Sequence, residues 1–114
     1  MAYFTTEFTG VDMAAGTATS TAAAATLGTQ SGVITTEALT TAAGSTYIFT
    51  LTNPVITAGS IVLVTVGKGT ATAGEPVVQF VTPAAGSATI LIRNNAAAAA
   101  LNGTITIGFV LFNI

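Results

Sequence analysis

The chain is 114 residues long, enough for one domain with a single core and too short for two. Two basic and four acidic residues give a net charge of −2, so there is no basic patch to meet a phosphate backbone and no nucleic-acid partner is expected. Cysteine and histidine are both absent, which excludes disulfides, thiolate chemistry and imidazole-based metal sites.

The low charge also bears on the surface. An ordinary domain carries about a quarter charged residues, whereas this one has only Glu7, Asp12, Glu37, Lys68, Glu75 and Arg93. So few charges protect a monomer poorly against association. The expectation is a surface covered in part by copies of the chain or by a partner. The longest apolar run, Ala96 to Leu101, falls far below the roughly 18–20 residues of a membrane helix, so no membrane partner is expected. The first fifteen residues hold no Lys or Arg and no apolar core segment, so no signal peptide is expected either.

In chain order, residues 1–15 read as an extended N-terminal arm and residues 16–114 as a single β domain. The arm sets Tyr3, Phe4 and Phe8 among threonines and Glu7, and Gly10 and Gly16 loosen it. Those three aromatics have no evident home within the chain and are candidate partner-binding residues. Thr17 to Leu27 alternates Thr with Ala, as one strand would, although Ala22 to Ala25 could as easily begin a helix. Gly28 to Gly32 is a turn, and Val33 to Thr36 a short strand. Glu37 to Ala43 favours one or two helical turns closed by Gly44 at the cap.

The densest β signal follows. Tyr47, Phe49 and Leu51 share one face of an alternating segment, with Ile48, Thr50 and Thr52 on the other. Asn53-Pro54 and Ala58-Gly59-Ser60 interrupt before Ile61 to Val66, whose aliphatics on both faces predict a central strand covered on both sides. The two segments read as a consecutive antiparallel pair. Gly67 to Gly74 is a loop. Pro76 to Pro83 is a strand bracketed by prolines, and Ala88 to Asn94 is another. Ala96 to Ala100 predicts a helical turn or tight connection. The last strand, Thr104 to Ile114, turns Ile105, Ile107, Phe109 and Leu111 to one side. Strands at roughly ten-residue spacing predict an all-β fold: an antiparallel β-sandwich, jelly-roll-like, or a small barrel with an extended N-terminal arm.

Chemistry is sparse. General acid–base work would fall on Glu7, Asp12, Glu37 and Glu75, which are scattered, and no metal-ligand spacing occurs. Gly67-Lys68-Gly69-Thr70 lacks the spacing of a phosphate loop. The expectation is no enzyme, no catalytic residue, no metal and no cofactor. Arg93, at a strand end beside Asn94-Asn95, is a candidate for meeting a carboxylate across a subunit boundary.

One family likeness runs from Gly32 to the C-terminus. It rests on Gly32-Val33-Ile34-Thr35-Thr36, on Ala42-Ala43-Gly44 leading into Phe49-Thr50-Leu51-Thr52-Asn53, and on the strand Ile61 to Val66. It continues through Ala85-Gly86-Ser87, Ile90-Leu91-Ile92-Arg93-Asn94 and the strand from Gly103 to Phe109. In these features the chain resembles the small β domain of tailed-bacteriophage capsid decoration (cement) and head-fibre proteins. The resemblance implies a non-enzymatic virion protein, made in the host cytoplasm, that binds the major capsid protein on the outer capsid surface, commonly as a homotrimer. The single domain points to decoration rather than a fibre. Two other readings stay open. One is a β-sandwich recognition module such as a glycan-binding tip, for which Tyr47 and Asn94-Asn95 are the hints. The other is a self-assembling surface or filament subunit using strand exchange.

Overall fold

The computed structural model describes residues 15–113, and every described element is a β-strand. The strands are β1 (Ala15–Thr19), β2 (Ala24–Thr26), β3 (Ser31–Thr35), β4 (Thr46–Thr52), β5 (Ile61–Lys68), β6 (Pro76–Ala84), β7 (Ser87–Asn94) and β8 (Ile105–Phe112). They form two four-stranded sheets, ordered β1-β3-β8-β5 and β2-β4-β7-β6. The first is called the A sheet below and the second the B sheet.

From β3 onward the chain alternates between sheets until the β6–β7 hairpin. It then returns with β7 between β4 and β6, and β8 between β3 and β5. This is the wrapped order of a jelly-roll-like sandwich. β1 and β2 add on parallel to β3 and β4, so neither sheet is wholly antiparallel. Thr17 to Leu27, expected as one strand, is thus two short strands in different sheets. Thr21 and Ala24 close the turn between them, bonding each other's backbone at 2.9 and 3.1 Å.

The expected β4–β5 pair does not form. β4 lies in the B sheet and β5 in the A sheet. Asn53 explains the crossing, because its side chain donates to the Thr29 carbonyl at 2.7 Å and accepts the Val55 amide at 2.9 Å. Ile56 then plugs the end of the sandwich at 1% exposure. β5 is also not central: it is an edge strand with Ile61 and Leu63 turned out to solvent. Two-sided apolarity marks a strand covered on both faces only if something covers the second face, and within one chain nothing described here does.

The core lies where the inward faces meet. Ile34, Ile105, Ile107, Phe109 and Leu111 come from the A sheet, and Tyr47, Phe49, Leu51, Ile90 and Ile92 from the B sheet. Each large aliphatic or aromatic contributes on the order of 1.5–3 kcal/mol by leaving water. The helical turns expected over Glu37–Ala43 are irregular chain instead, and Ala96–Ala100 is the tight connection rather than the helical turn. Leu39 and Leu101 are drawn into the core there, their amides bonded to Gly103 and Thr41 carbonyls. Gly44 does adopt a left-handed φ of 78°, but it turns a loop rather than capping a helix.

Candidate docking surfaces

The outer faces of the two sheets carry what this molecule can offer a partner. On the B sheet, register sets Ile48, Leu91 and Phe80 side by side across β4, β7 and β6. Ile48 is 57% exposed and Phe80 52%. Phe80 faces outward because β6 bulges between Val78 and Phe80, and the extra residue, Gln79, shifts the alternation. Beside this row Thr46, Arg93 and Val77 form the next one, with Val77 exposed and Arg93 half-buried. Arg93 therefore stands at the border of an apolar row.

On the A sheet, Leu63, Val110 and Ser31 share one cross-strand row and Thr65, Gly108 and Val33 the next. Gly108 has no side chain, so a shallow groove of about 620 Å³ opens over it. Ala15, Thr17, Val33, Leu63 and Val110 stand around it and no charged residue lines it. Ile61 and Phe112 extend the apolar area at one end.

The sheet edges differ as well. β6 is guarded by Pro76, Pro83 and its bulge, which hinder pairing with another strand. β5 runs eight residues with no proline and no bulge, and its only charge is the terminal Lys68. Among the described residues no strand pairs with that edge, which suits it to an added strand.

The interior polar groups serve the fold. Glu37 sits under the β1–β2 turn, accepting from Ser20 Oγ, from the Ala23 amide at 2.9 Å and from Tyr47 Oη at 3.1 Å. Burial pushes its pKa up, but these bonds and one from its own backbone outweigh that, and the net pKa is lowered. Burial chiefly, together with the Glu37 charge and hydrogen bond, pushes the Tyr47 hydroxyl up to about 12. Both Glu37 oxygens are thus engaged within the protein, and its bonded partners include no second carboxylate. Asn94 is fully buried and makes four side-chain bonds. It donates to the Thr41 and Ala99 carbonyls at 3.0 and 2.9 Å and accepts from the Glu75 and Ala96 amides at 3.0 and 3.1 Å. Tyr47 and Asn94 therefore do not line an exposed groove, and of the three residues that hinted at a recognition module only Asn95 is exposed.

Among the described residues no group of three or more His, Cys, Asp or Glu could hold a metal ion. No helix there is long and apolar enough to cross a membrane. Of the candidate partner-binding residues, Arg93 is placed on the B face, while Tyr3, Phe4 and Phe8 lie outside the described residues. Sequence reasoning missed the Ile48–Leu91–Phe80 row, because the bulge that orients Phe80 has no local signature. No family model, curated protein or solved structure matches the chain.

Proposed function

We propose that the protein is a virion structural component, a capsid decoration (cement) protein. In this reading it binds the major capsid protein on the outer surface of a phage head as a homotrimer, stabilising the head through apolar and β-edge contacts. One observation carries the reading: a chain with six charges exposes Val33, Ile48, Ile61, Leu63, Val77, Phe80 and Phe112, each by more than a third, on the outer faces of its two sheets. Apolar faces on this scale mark surfaces meant to be covered. The family likeness adds what covers them.

Energetics favour several copies acting together. Burying the exposed half of one such side chain returns on the order of 1 kcal/mol, while association costs several kcal/mol in lost freedom. A single row of three residues barely offsets that cost. Three linked copies gain from effective concentration without any new type of contact. Arg93 supplies a polar contact at the border of the B face, and Tyr3, Phe4 and Phe8 add aromatic surface.

The test uses heads lacking this protein and the variant carrying both Ile48→Ser and Phe80→Ser. Both side chains are exposed, so unfolding should be nearly unchanged while head occupancy, read by co-sedimentation, falls at least about tenfold. Undiminished occupancy overturns the B face as the attachment surface, and failure of the wild type to bind any head overturns the reading. The open β5 edge supports a second reading, a self-assembling subunit joined by strand exchange. Sedimentation velocity separates the two, since decoration requires a discrete trimer and strand exchange an open polymer.

A further inference from the structure

Asn102-Gly103 is the one asparagine–glycine pair in the chain. It lies where the β7–β8 connection packs against the β5–β6 connection. We propose that this pair is a latent deamidation site, held closed by the folded loop and exposed by local opening of residues 69–74.

The reaction needs only the chain and water. The Gly103 backbone nitrogen attacks Asn102 Cγ, and the new C–N bond closes a succinimide ring. The Cγ–Nδ2 bond breaks, and the side-chain nitrogen leaves as ammonia with the proton that the Gly103 amide gives up. Water then opens the ring at either carbonyl, leaving aspartate or isoaspartate at position 102. A following glycine favours the attack because no Cβ blocks the approach of its nitrogen.

The fold requires both residues. A Cβ added at Gly103 would lie 2.6 Å from Thr70 Oγ1 and 2.8 Å from the Ala71 nitrogen, so Thr70 and Ala71 occupy the space of a side chain. Across the same contact Asn102 Oδ1 accepts the Thr72 and Ala73 amides at 2.8 and 3.0 Å. Its Nδ2 donates to Thr72 Oγ1 at 2.8 Å. A primary amide supplies that acceptor and that donor together. The labile pair thus follows from how the two connections pack.

The same bonds restrain it. Ring closure turns Cγ onto its own main chain and releases Nδ2, so the side chain gives up its hold on Thr72 and Ala73. Asn102 and Thr72 are both exposed, and segments bonded at the surface open at far lower cost than the whole fold. Conversion is therefore slow in the closed loop and proceeds through its opening. Isoaspartate then lengthens the main chain beside Gly103, where Thr70 and Ala71 leave no slack, so the loop does not close as before. Either product adds a carboxylate to a chain with six charges. None of this rests on the virion reading.

The experiment holds the full-length protein in mildly alkaline buffer, native and in concentrated urea, and follows each asparagine by peptide mass mapping with isoaspartate detection. In urea Asn102 should convert ahead of Asn53, Asn94, Asn95 and Asn113. In the native protein its conversion should be at least about tenfold slower than in urea. Thr72→Val removes the acceptor of Nδ2 at an exposed position. It should raise the native rate roughly threefold and leave the rate in urea unchanged. The converted protein should show faster amide exchange at Thr72 and Ala73. Wild-type rates that coincide in buffer and urea overturn the proposal. So does a folded Thr72→Val protein whose native rate matches wild type, or unchanged exchange at Thr72 and Ala73 after conversion.

Discussion

Glu37 and Ala23 are joined across fourteen residues, the Ala23 amide donating to Glu37 Oε2 at 2.9 Å while Ala23 itself holds a φ of 62°. Its neighbour Ala22 has a φ of 51°, so two consecutive alanines sit in the left-handed region. Positive φ at both central residues is a type I′ turn, a position that prefers Asn-Gly. Each alanine costs roughly 1–2 kcal/mol there. The carboxylate anchors the turn despite that cost. Replacing Ala22 by Asn and Ala23 by Gly should stabilise the protein by about 1 kcal/mol net, after the entropic cost of glycine and the small packing loss at Ala23. Urea unfolding of the double variant checks it, and a loss of stability would mean that the Ala23 methyl matters more than the backbone.

The same carboxylate makes stability depend on pH at the acid end. The Glu37 pKa in the fold lies below its ordinary 4.5, so its contribution is fully present above that value and lost as pH falls through the lowered one. Glu37→Gln should flatten this acid limb and lower stability at neutral pH. Tyr47 acts at the other end. Its pKa rises from 10.0 to about 12, so its contribution is intact below pH 10 and lost between there and about 12. Tyr47→Phe should remove the alkaline limb. Denaturant midpoints for the three proteins from acid to alkaline pH decide both.

Asn94 and Asn95 are adjacent and should respond in opposite ways. Asn94→Ala leaves the Ala99 carbonyl and the Glu75 and Ala96 amides without the partner described above, while the Thr41 carbonyl keeps the Leu101 amide, at about 1–3 kcal/mol for each group that stays dry. We expect a loss of about 3–5 kcal/mol with faster amide exchange at Glu75 and Ala96. Asn95 is exposed, and Asn95→Ala should stay within roughly 0.5 kcal/mol of wild type. Thermal unfolding with hydrogen exchange distinguishes the two.

Attachment to a partner through the outer faces should be nearly blind to salt. Two cations and four acids offer little long-range attraction to screen. Between about 0.05 and 0.5 M salt, occupancy should change by less than roughly twofold. A loss of about tenfold over that range would mean that charge pairs, with Arg93 foremost, carry the contact rather than Ile48, Leu91 and Phe80.

Strand identity was legible wherever side chains alternate. Tyr47, Phe49 and Leu51 turn inward together, as do Ile105, Ile107, Phe109 and Leu111, because a pleated strand has a period of two whatever surrounds it. The strands β4 and β8 follow from that period, whereas β5 was read from its run of aliphatics and β6 from its bracketing prolines. Partnership does not, since it depends on where the chain goes between strands. The Asn53 side chain turned an expected hairpin into a crossing between sheets, and β5 became an edge with Ile61 and Leu63 outward. Alanine-rich stretches were the least informative: Ala22 to Ala25 and Ala96 to Ala100 suit helix, strand or turn, and a distant bond to Glu37 and side-chain bonds to Asn94 settled them. The docking rows lay deepest, because a local period says which residues share a face, and only register across three strands places Ile48, Leu91 and Phe80 together.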